Sequence, residues 1–552
     1  MSREDSANHL LCGTYTFSSV CSFALTLSHP IATVIARPAP SGATLPLSAP
    51  CPALHVRLFG LICHPRDHTN SSLHVCSFAD KEQLIKQYIQ EFVSEHPELS
   101  YVEDAAGNVL VRFPGSGARA GKLEDSIILQ GHIDMVTEKE AGSDHCFDTD
   151  PLTLKYDGAR WLTATATTLG ADNGVGVCAA LALLEAGCAG LELPPLEILC
   201  TVAEEVGLVG AFNIDVNALG IQGALLINVD SEDFPHLYVG CAGGGDSLLS
   251  FRAIMEEDAS VPRNVWKLSV SGLPGGHSGL DIHRNIANAV IVCANFAAGL
   301  LLDPRVRLVS IEGGDKRNAL ARDATVTVDA PADVDLVTVV EELKTNITGH
   351  GARVELLSIG PNDRARAIRR SDAQSILDLL LGLPHGPLGL EADGVSVQTS
   401  SNLASIKVDL GGDAAAGSDD DHERFVVQCS TRSSVDADLE KVRSRIRELG
   451  EQLGWVVTQN EAYPGWQDAG ESPLRALALE ALPAGAEVRT IHAGLEAGVL
   501  KKKIEAANGR PVDAIAVGPT IVGAHSPEEA CDVASTREFY AALEMLVARL
   551  GS

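Results

Sequence analysis

The sequence predicts an α/β protein in which a mostly parallel sheet with helices on both faces is interrupted by an inserted α+β domain of two tandem similar halves. Three observations support this prediction. Between residues 126 and 243, apolar runs of strand length alternate with helical patterns, as in parallel sheets covered by helices. After residue 245, strands alternate apolar with polar side chains, and an order of strand, helix, strand, strand and helix recurs. Beyond the YPGW run at 463–466 the α/β pattern returns, with AIAVGPT as a buried strand.

The predicted elements follow one another in a regular order. An amphipathic helix begins near residue 79, in KEQLIKQYIQEFVSEH, and YVEDAAGNVLVRF predicts a hairpin. In the parallel-sheet region, residues 174–186 predict the longest helix. Helical segments near residues 285–302, 335–346 and 435–453 accompany the half-exposed strands of the inserted domain.

These patterns divide the chain into four segments, in keeping with a length of 552 residues that requires two globular domains. The segments are an N-terminal extension at 1–76, the first part of the α/β domain at 77–246, the inserted domain at 247–462 and the second part of the α/β domain at 463–552. The extension is rich in Ser, Pro and Thr and lacks periodicity, so we expect it to be poorly ordered. A transit peptide and a gene-prediction artefact are the alternatives.

The composition limits the partners of the protein. Its 42 Lys and Arg residues against 73 Asp and Glu give a net charge of −31. This charge repels phosphate backbones and anionic membranes, so neither nucleic acid nor a membrane is an expected partner. No apolar run approaches the length that we expect of a membrane-spanning helix. The thirteen cysteines are scattered singly, which favours a reducing compartment and a cytoplasmic location.

Acidic and histidine residues follow several of the apolar runs. They are His132 and Asp134 in GHIDMV, Asp172 in LGADNG, Glu204 and Glu205 in AEEVG, Asp230 in INVDSED and His525 in GAHSPEE. Because the carboxyl ends of parallel strands meet at one edge of a sheet, these side chains are expected to converge there. Two imidazoles and several carboxylates predict a divalent-metal site, with enough ligands for two ions.

Taken singly, each of these residues has an ordinary structural interpretation. His132 and Asp134 could form a buried pair that satisfies itself, and Asp134 can orient the histidine only if the chain bends after it. Asp172 could cap a helix. Glu204 and Glu205 could be an exposed loop pair, although adjacent side chains diverge and one could bind a metal while the other faces a water molecule. Only their joint occurrence at strand ends favours a site.

Two further runs predict local structure. The CAGGG run at 241–245 is similar to a phosphate-binding loop, but it lacks the Lys and the following helix that such a loop needs. After His525, Ser526 and Pro527 predict a helix start with Ser as the cap and Pro in the first turn.

Taken together, GHIDMV, LGADNG, AEEVGLVGA, INVDSED, GGHSGLDIH, GGDKRNA, HAGLEAG and GPTIVGAHSPEE resemble the aminoacyl-histidine dipeptidases (peptidase D), a branch of the co-catalytic di-zinc exopeptidases. The resemblance extends from about residue 79 to near the C-terminus. It implies that segments 77–246 and 463–552 form a catalytic domain and that segment 247–462 is a lid.

The resemblance also implies the roles of individual residues. It assigns five metal ligands: His132 and Asp230 for one zinc, Glu205 and His525 for the other, and Asp172 as the bridge. It further implies that Asp134 orients His132 and that Glu204 is the general base. From the lid, His277 would donate a hydrogen bond to the oxyanion.

Four more residues are candidates for substrate binding. Arg432 would bind the free carboxylate of a dipeptide, since a guanidinium suits that anion, although a surface arginine is the alternative. Asn318 would line the site or stabilise a turn. His492 and Glu496 are spaced so that one helix face could carry both, as pocket residues or as a surface pair.

The function implied by the resemblance is hydrolysis of unblocked dipeptides, with Xaa-His (carnosine-like) dipeptides as one substrate class. Removal of an acyl group from N-acyl amino acids is the first alternative, and a non-catalytic binding protein is the second. The expected cofactors are two divalent metal ions, zinc first, with cobalt or manganese as alternatives. The expected partner is a small peptide, and a homodimer stays open.

Overall fold

The computed structural model describes residues 79–257, 262–344, 352–361, 366–391, 393–409 and 422–551. The expectations for segment 1–76 lie outside these residues. The described residues contain eleven helices: α1 Ala79–Ser94, α2 Ala171–Cys188, α3 Val209–Asn213, α4 Val216–Leu219, α5 Ala289–Leu300, α6 Leu336–Lys344, α7 Arg370–Gly382, α8 Asp436–Gln452, α9 Pro473–Ala481, α10 Glu496–Asn508 and α11 Val533–Gly551.

Twenty-two strands lie in the same described residues. Those up to residue 257 are β1 Ser100–Glu103, β2 Val109–Phe113, β3 Ile127–His132, β4 Leu154–Tyr156, β5 Trp161–Ala164, β6 Leu196–Thr201, β7 Leu225–Asn228, β8 Leu237–Cys241 and β9 Gly243–Glu257. The others are β10 Arg263–Ser271, β11 Arg307–Gly314, β12 Ala324–Pro331, β13 Arg353–Pro361, β14 Arg366–Ile368, β15 Gly386–Leu390, β16 Val397–Asp409, β17 His422–Ser433, β18 Val456–Gln459, β19 Val488–Ile491, β20 Asp513–Ala516, β21 Ile521–Val522 and β22 Ala530–Asp532. The fold is therefore mixed α/β.

The chain divides into two compact units. The described part of the first unit comprises residues 79–237, 471–487 and 503–551, and the second comprises residues from 238 to 470 and from 488 to 502. The segment boundaries expected from the sequence remain predictions. The units differ from them at 238–246 and 463–470, which belong to the second unit, and at 488–502. The last stretch packs with the second unit because β19 is hydrogen-bonded to β8 and Ala242 N donates to Ile491 O.

The first unit is built on a sheet with strand order β1-β2-β6-β3-β7-β20. Strands β6, β3, β7 and β20 run parallel, whereas β2 pairs antiparallel with β6 and with β1. All residues of β3 and β6 are buried, which agrees with their mostly apolar sequences. The parallel strands therefore end at one edge, and acidic residues follow β3, β6 and β7 within four residues of each strand end.

Helix α2 packs against β3, and most of its residues are apolar and buried. It begins at Ala171, but Asp172 and Asn173 have non-helical backbone angles, so the regular helix starts after Asn173, as the sequence predicts. By length and composition alone α2 could cross a membrane, so the expectation that no apolar run reaches this length is wrong. Because 78% of α2 is buried within the protein, core packing explains its apolar residues.

The second unit contains a ten-stranded sheet. Eight strands follow the order β13-β10-β12-β11-β16-β17-β9-β14, while β15 pairs with β16 and β18 with β9. Along the chain, β10-α5-β11-β12-α6-β13 is followed by β14-α7-β15-β16-β17-α8-β18, so helices separate the strands in both halves. Buried Phe296, Ile376, Phe425 and Ile446 belong to one hydrophobic core shared by the two halves.

Candidate functional site

A cluster of histidine and acidic side chains lies at the carboxyl edge of the parallel strands in the first unit. His132 is the last residue of β3 and is 1% exposed. Asp172 opens α2, and Asp230 follows β7 by two residues. Glu205 follows β6, and His525 lies in a turn between β21 and β22 with a left-handed φ of 62°. Apolar strands thus deliver polar side chains to one place.

Asp172 lies between the two histidines of this cluster. Its Oδ1 is 3.0 Å from His132 Nε2, and its Oδ2 is 3.1 Å from His525 Nε2. Asp230 Oδ1 lies 3.5 Å from His132 Nε2, and Glu205 Oε2 lies 3.1 Å from His525 Nε2. The geometry therefore contains three groups of side chains that could hold a metal ion. They are His132 with Asp172 and Asp230, His525 with Asp172 and Glu205, and His132 with Glu204 and Glu205.

Asp134 connects β3 to the turn that carries the two glutamates. Strand β3 ends at His132, so the chain bends and brings Asp134 Oδ1 to 3.3 Å from His132 Nδ1. The same carboxylate accepts hydrogen bonds from Glu204 N and Glu205 N, each 3.0 Å long. Asp134 therefore contacts the imidazole whose Nε2 faces Asp172, and it also binds the backbone of both glutamates. Ala203, which precedes them, has a left-handed φ of 51°.

The electrostatics of the cluster favour bound positive charge. Burial lowers the pKa of His132, but Asp230, Asp134 and Asp172 outweigh burial and hold this pKa well above its usual value. Hydrogen bonds to Asp172 and Glu205 raise the pKa of His525 to about 11. Burial raises the pKa of Asp230 to about 7, against the effect of His132. In the protein alone, the positive charge of the protonated imidazoles offsets part of the negative charge of the neighbouring carboxylates.

Two carboxylate oxygens of the cluster are buried without a hydrogen bond. Among the described residues, neither Asp230 Oδ1 nor Glu205 Oε1 has a hydrogen-bond partner. Buried polar atoms without partners are rare, and oxygen and imidazole ligands together suit divalent transition metals. These residues therefore fit the metal ions expected from the sequence.

A second polar cluster lies within the second unit and contains His277, Asn318, Arg432 and His492. His277 Nδ1 accepts hydrogen bonds from Gly279 N and Leu280 N, at 3.2 and 3.1 Å, so a neutral ring carries its proton on Nε2. Asn318 holds this turn through its backbone, because its carbonyl accepts from Ser278 N at 2.7 Å.

Arg432 and His492 lie near each other in the same cluster. Arg432 Nη1 donates to the Tyr463 hydroxyl at 3.1 Å, and His492 Nε2 lies 2.8 Å from Ser400 Oγ. Burial, with Arg432 and His277 nearby, lowers the pKa of His492 to about 3, so this imidazole is neutral. Among the described residues, no carboxylate forms an ion pair with Arg432, and its buried Nε has no hydrogen-bond partner.

The placement of His492 and Glu496 on one helix face is wrong. Strand β19 ends at Ile491 and α10 begins at Glu496, so His492 lies in the turn between them. Glu496 is fully buried at the first position of α10. The four-residue spacing that suggested a helix is here spanned by a turn that includes Gly494.

Two known dipeptidases are similar to this chain. A search with protein-family models finds no match. The cytosol non-specific dipeptidase of Escherichia coli is 34% identical over 485 residues, which cover 84% of this chain and 93% of the relative. The chain belongs to this dipeptidase family. The crystal structure of the aminoacylhistidine dipeptidase from Vibrio alginolyticus, another relative, has a TM-score of 0.68 and 30% identity, with 91% of this chain and 97% of that chain covered. The resemblance inferred from the motifs is confirmed.

In this family member, the sequence did not reveal two carboxylates that support the cluster. Glu529, which is 2% exposed, accepts hydrogen bonds from the backbone of Leu169, Gly170, Ala171 and Asp172, at 2.7 to 3.3 Å. Glu82 on α1 accepts from Ala203 N at 2.7 Å. Both hold loops that present candidate ligands. The sequence around Glu82 and Glu529 does not indicate these hydrogen bonds, because the partner residues lie more than one hundred residues away in sequence.

Proposed function

We propose that the protein is a metal-dependent dipeptidase that hydrolyses the peptide bond of unblocked dipeptides. Family membership supports peptide hydrolysis, because the E. coli relative is a non-specific dipeptidase. The observation that carries the proposal is the position of Asp172, with one carboxylate oxygen on each of two histidines. A carboxylate between two ligand groups suits a pair of divalent ions.

We assign the metal ligands as the sequence suggested. His132 and Asp230 would hold one ion, Glu205 and His525 the other, and Asp172 both. Zinc is the first candidate and cobalt or manganese the alternatives, since oxygen and nitrogen ligands accept all three. When bound, such ions lower the pKa of a water molecule and polarise a carbonyl group.

Glu204 is assigned as the general base. Its carboxylate would take a proton from the attacking water and deliver it to the leaving amine. Asp134 would support both general-base catalysis and metal binding, because it accepts a hydrogen bond from Glu204 N and also faces His132. The turn that carries Glu204 is thus fixed to the strand that carries a metal ligand.

The inserted domain is proposed to act as a lid that supplies substrate-binding groups. His277, with its ring proton on Nε2, would donate to the oxyanion of the transition state. Arg432, a guanidinium without an ion-pair partner among the described residues, would bind the substrate carboxylate. Asn318, His492 and Glu496 are proposed to line the same pocket.

The substrate class and the location extend this proposal. Xaa-His dipeptides are candidates, because a relative of known structure is an aminoacylhistidine dipeptidase. A cytoplasmic location is proposed because the E. coli relative is a cytosol dipeptidase. A homodimer remains a prediction. Hydrolysis of N-acyl amino acids is the rival activity, since it could use the same metal ligands.

The test is histidine release from β-alanyl-histidine, together with alanine or histidine release from a panel of Xaa-Ala and Xaa-His dipeptides. Chelator-treated protein would be assayed before and after zinc addition. Zinc-dependent release from dipeptides supports the proposal, and the panel reveals any preference for histidine. Metal-loaded protein that cleaves N-acetyl amino acids and no dipeptide would favour the deacylase.

A further inference from the structure

The run Tyr463-Pro464-Gly465-Trp466, here called the YPGW segment, lies against two glycine-rich runs of the second unit. One is CAGGG at 241–245 and the other is HAGLEAG at 492–498. Four backbone hydrogen bonds join the segment to the first run: Tyr463 N to Gly244 O, Gly244 N to Tyr463 O, Trp466 N to Cys241 O and Cys241 N to Trp466 O, at 2.8 to 3.0 Å. The segment is therefore fixed beside β8 and β9.

Glycines of both runs make room for the Tyr463 ring. A Cβ atom at Gly244 would lie 2.5 Å from the Tyr463 hydroxyl oxygen, and one at Gly494 would lie 2.9 Å from the ring carbon Cε2. Neither glycine has a left-handed backbone, so close approach to the ring is what requires glycine here. The two runs, distant in sequence, form one slot for one tyrosine.

The slot aligns Tyr463 with Arg432 across the sheet. Arg432 on β17 pairs with Ser400 on β16 and with Gly244 on β9, and Gly244 in turn pairs with Tyr463. The four residues form one row, in which Tyr463 accepts the hydrogen bond from Arg432 Nη1. Burial raises the pKa of Tyr463, so its hydroxyl remains protonated and retains a hydrogen to donate.

No residue of this row offers a negative charge to Arg432. A partly buried guanidinium without a carboxylate partner has a free-energy cost that a bound anion would remove. We propose that Tyr463 is a positioning residue that aims the Arg432 guanidinium at the carboxylate of the substrate, and that Gly244 and Gly494 serve to seat its ring. The identity of the anion as a dipeptide carboxylate rests on the proposed function.

The first test is Tyr463→Phe, which keeps the ring in its slot and removes only the hydroxyl. We expect KM for a dipeptide to rise about tenfold with kcat within about twofold, since a hydrogen bond to a charged group is lost. Tyr101→Phe on β1 is the matched control, because it removes a hydroxyl bonded to Glu103 in the first unit and should leave KM unchanged. A tenfold fall in kcat with unchanged KM would overturn the positioning role. So would a Tyr463→Phe protein in which neither constant changes.

A second measurement separates positioning from mere packing. Dipeptide affinity would be measured by calorimetry on Glu204→Gln protein, with and without Tyr463→Phe, for a dipeptide and for its C-terminal amide. The proposal predicts that Tyr463→Phe weakens binding of the dipeptide about tenfold and leaves binding of the amide unchanged. Equal weakening of both, or no binding of the dipeptide to the parent protein, contradicts it. Failure of the proposed function is distinct, because it would appear as absent turnover in the unsubstituted enzyme.

A glycine variant tests the slot itself. Gly494→Ala places a methyl group against the Tyr463 ring and should raise KM as Tyr463→Phe does. Gly389→Ala is the control, since its nearest atom would be 3.5 Å away and KM should not change. A Gly494→Ala protein that folds and has an unchanged KM would show that the glycine is not needed to seat the ring. The role of Tyr463 itself would then be decided by calorimetry on Tyr463→Phe.

Discussion

The polar clusters of the two units differ in what they lack. In the first unit, His132 and His525 are surrounded by carboxylates, which raise the pKa of both imidazoles. Both histidines therefore carry a proton whose positive charge offsets the carboxylates. In the second unit, Arg432 is a cation with no ion pair among the described residues, and its neighbour His492 is neutral. The first cluster is therefore suited to cations and the second to an anion.

The largest expected effect separates chemistry from metal binding in the first cluster. Glu204→Gln should lower kcat roughly a hundred- to ten-thousand-fold, because the amide cannot take a proton from water. Metal content should stay at the level of the unsubstituted protein. Steady-state kinetics with metal analysis of the same samples would check both. Retained turnover would remove Glu204 from the role of base.

The second prediction concerns the unpaired cation of the second cluster. Arg432→Gln should raise KM for dipeptides by about ten- to a hundredfold and leave metal affinity unchanged, because it removes the charge offered to the substrate carboxylate. Arg447→Gln is the matched control, an exposed arginine of α8 that donates to the Gln459 side chain. Steady-state kinetics on both variants gives the comparison. A loss of metal ions from Arg432→Gln would show that the two clusters are not separate in function.

A third prediction follows from the protonated histidines. His525 has a pKa of about 11 in the protein alone, so it carries a proton at neutral pH that a metal ion must displace. Apparent metal affinity should therefore rise with pH, by about tenfold per pH unit for each displaced proton, between about pH 6 and pH 8. Calorimetry in buffers of different ionisation enthalpy would count the protons released. Affinity that does not vary with pH contradicts this assignment.

The smallest expected effect concerns Glu529, which holds the backbone of the loop that carries Asp172. Glu529→Gln should weaken metal affinity about tenfold, because the amide loses the charge that attracts four backbone N–H groups of the Asp172 loop. Glu528→Gln is the control, since Glu528 is the exposed neighbour. Competition with a chromogenic chelator would measure both variants. Equal affinities would make Glu529 a residue of general stability only.

The sequence predicted the parts of the site that depend on strand periodicity. His132 and Asp230 follow apolar runs that form β3 and β7, and neighbouring parallel strands end at one edge. Asp172 is found where the sequence predicts a residue just before a helix. The roles of these residues as ligands stay predictions.

Predictions from the sequence were wrong or missing where tertiary contacts determine the backbone conformation. Ser526 and Pro527 do not start a helix; Ser526 Oγ donates to Gly523 O in a turn, and strand β22 follows. The slot for Tyr463 joins glycines separated by about half of the chain, and no local pattern reports that proximity. Glu529 likewise reaches a loop more than 350 residues earlier in sequence.

The most direct test of a two-ion centre at Asp172 is a zinc titration of chelator-treated protein. Metal content per chain and hydrolysis of β-alanyl-histidine or Xaa-Ala dipeptides would be followed together. We predict that activity reaches its maximum at two zinc ions per chain, and that Asp172→Asn fails to retain both. Full dipeptidase activity with one ion per chain, or in Asp172→Asn protein, would contradict the account.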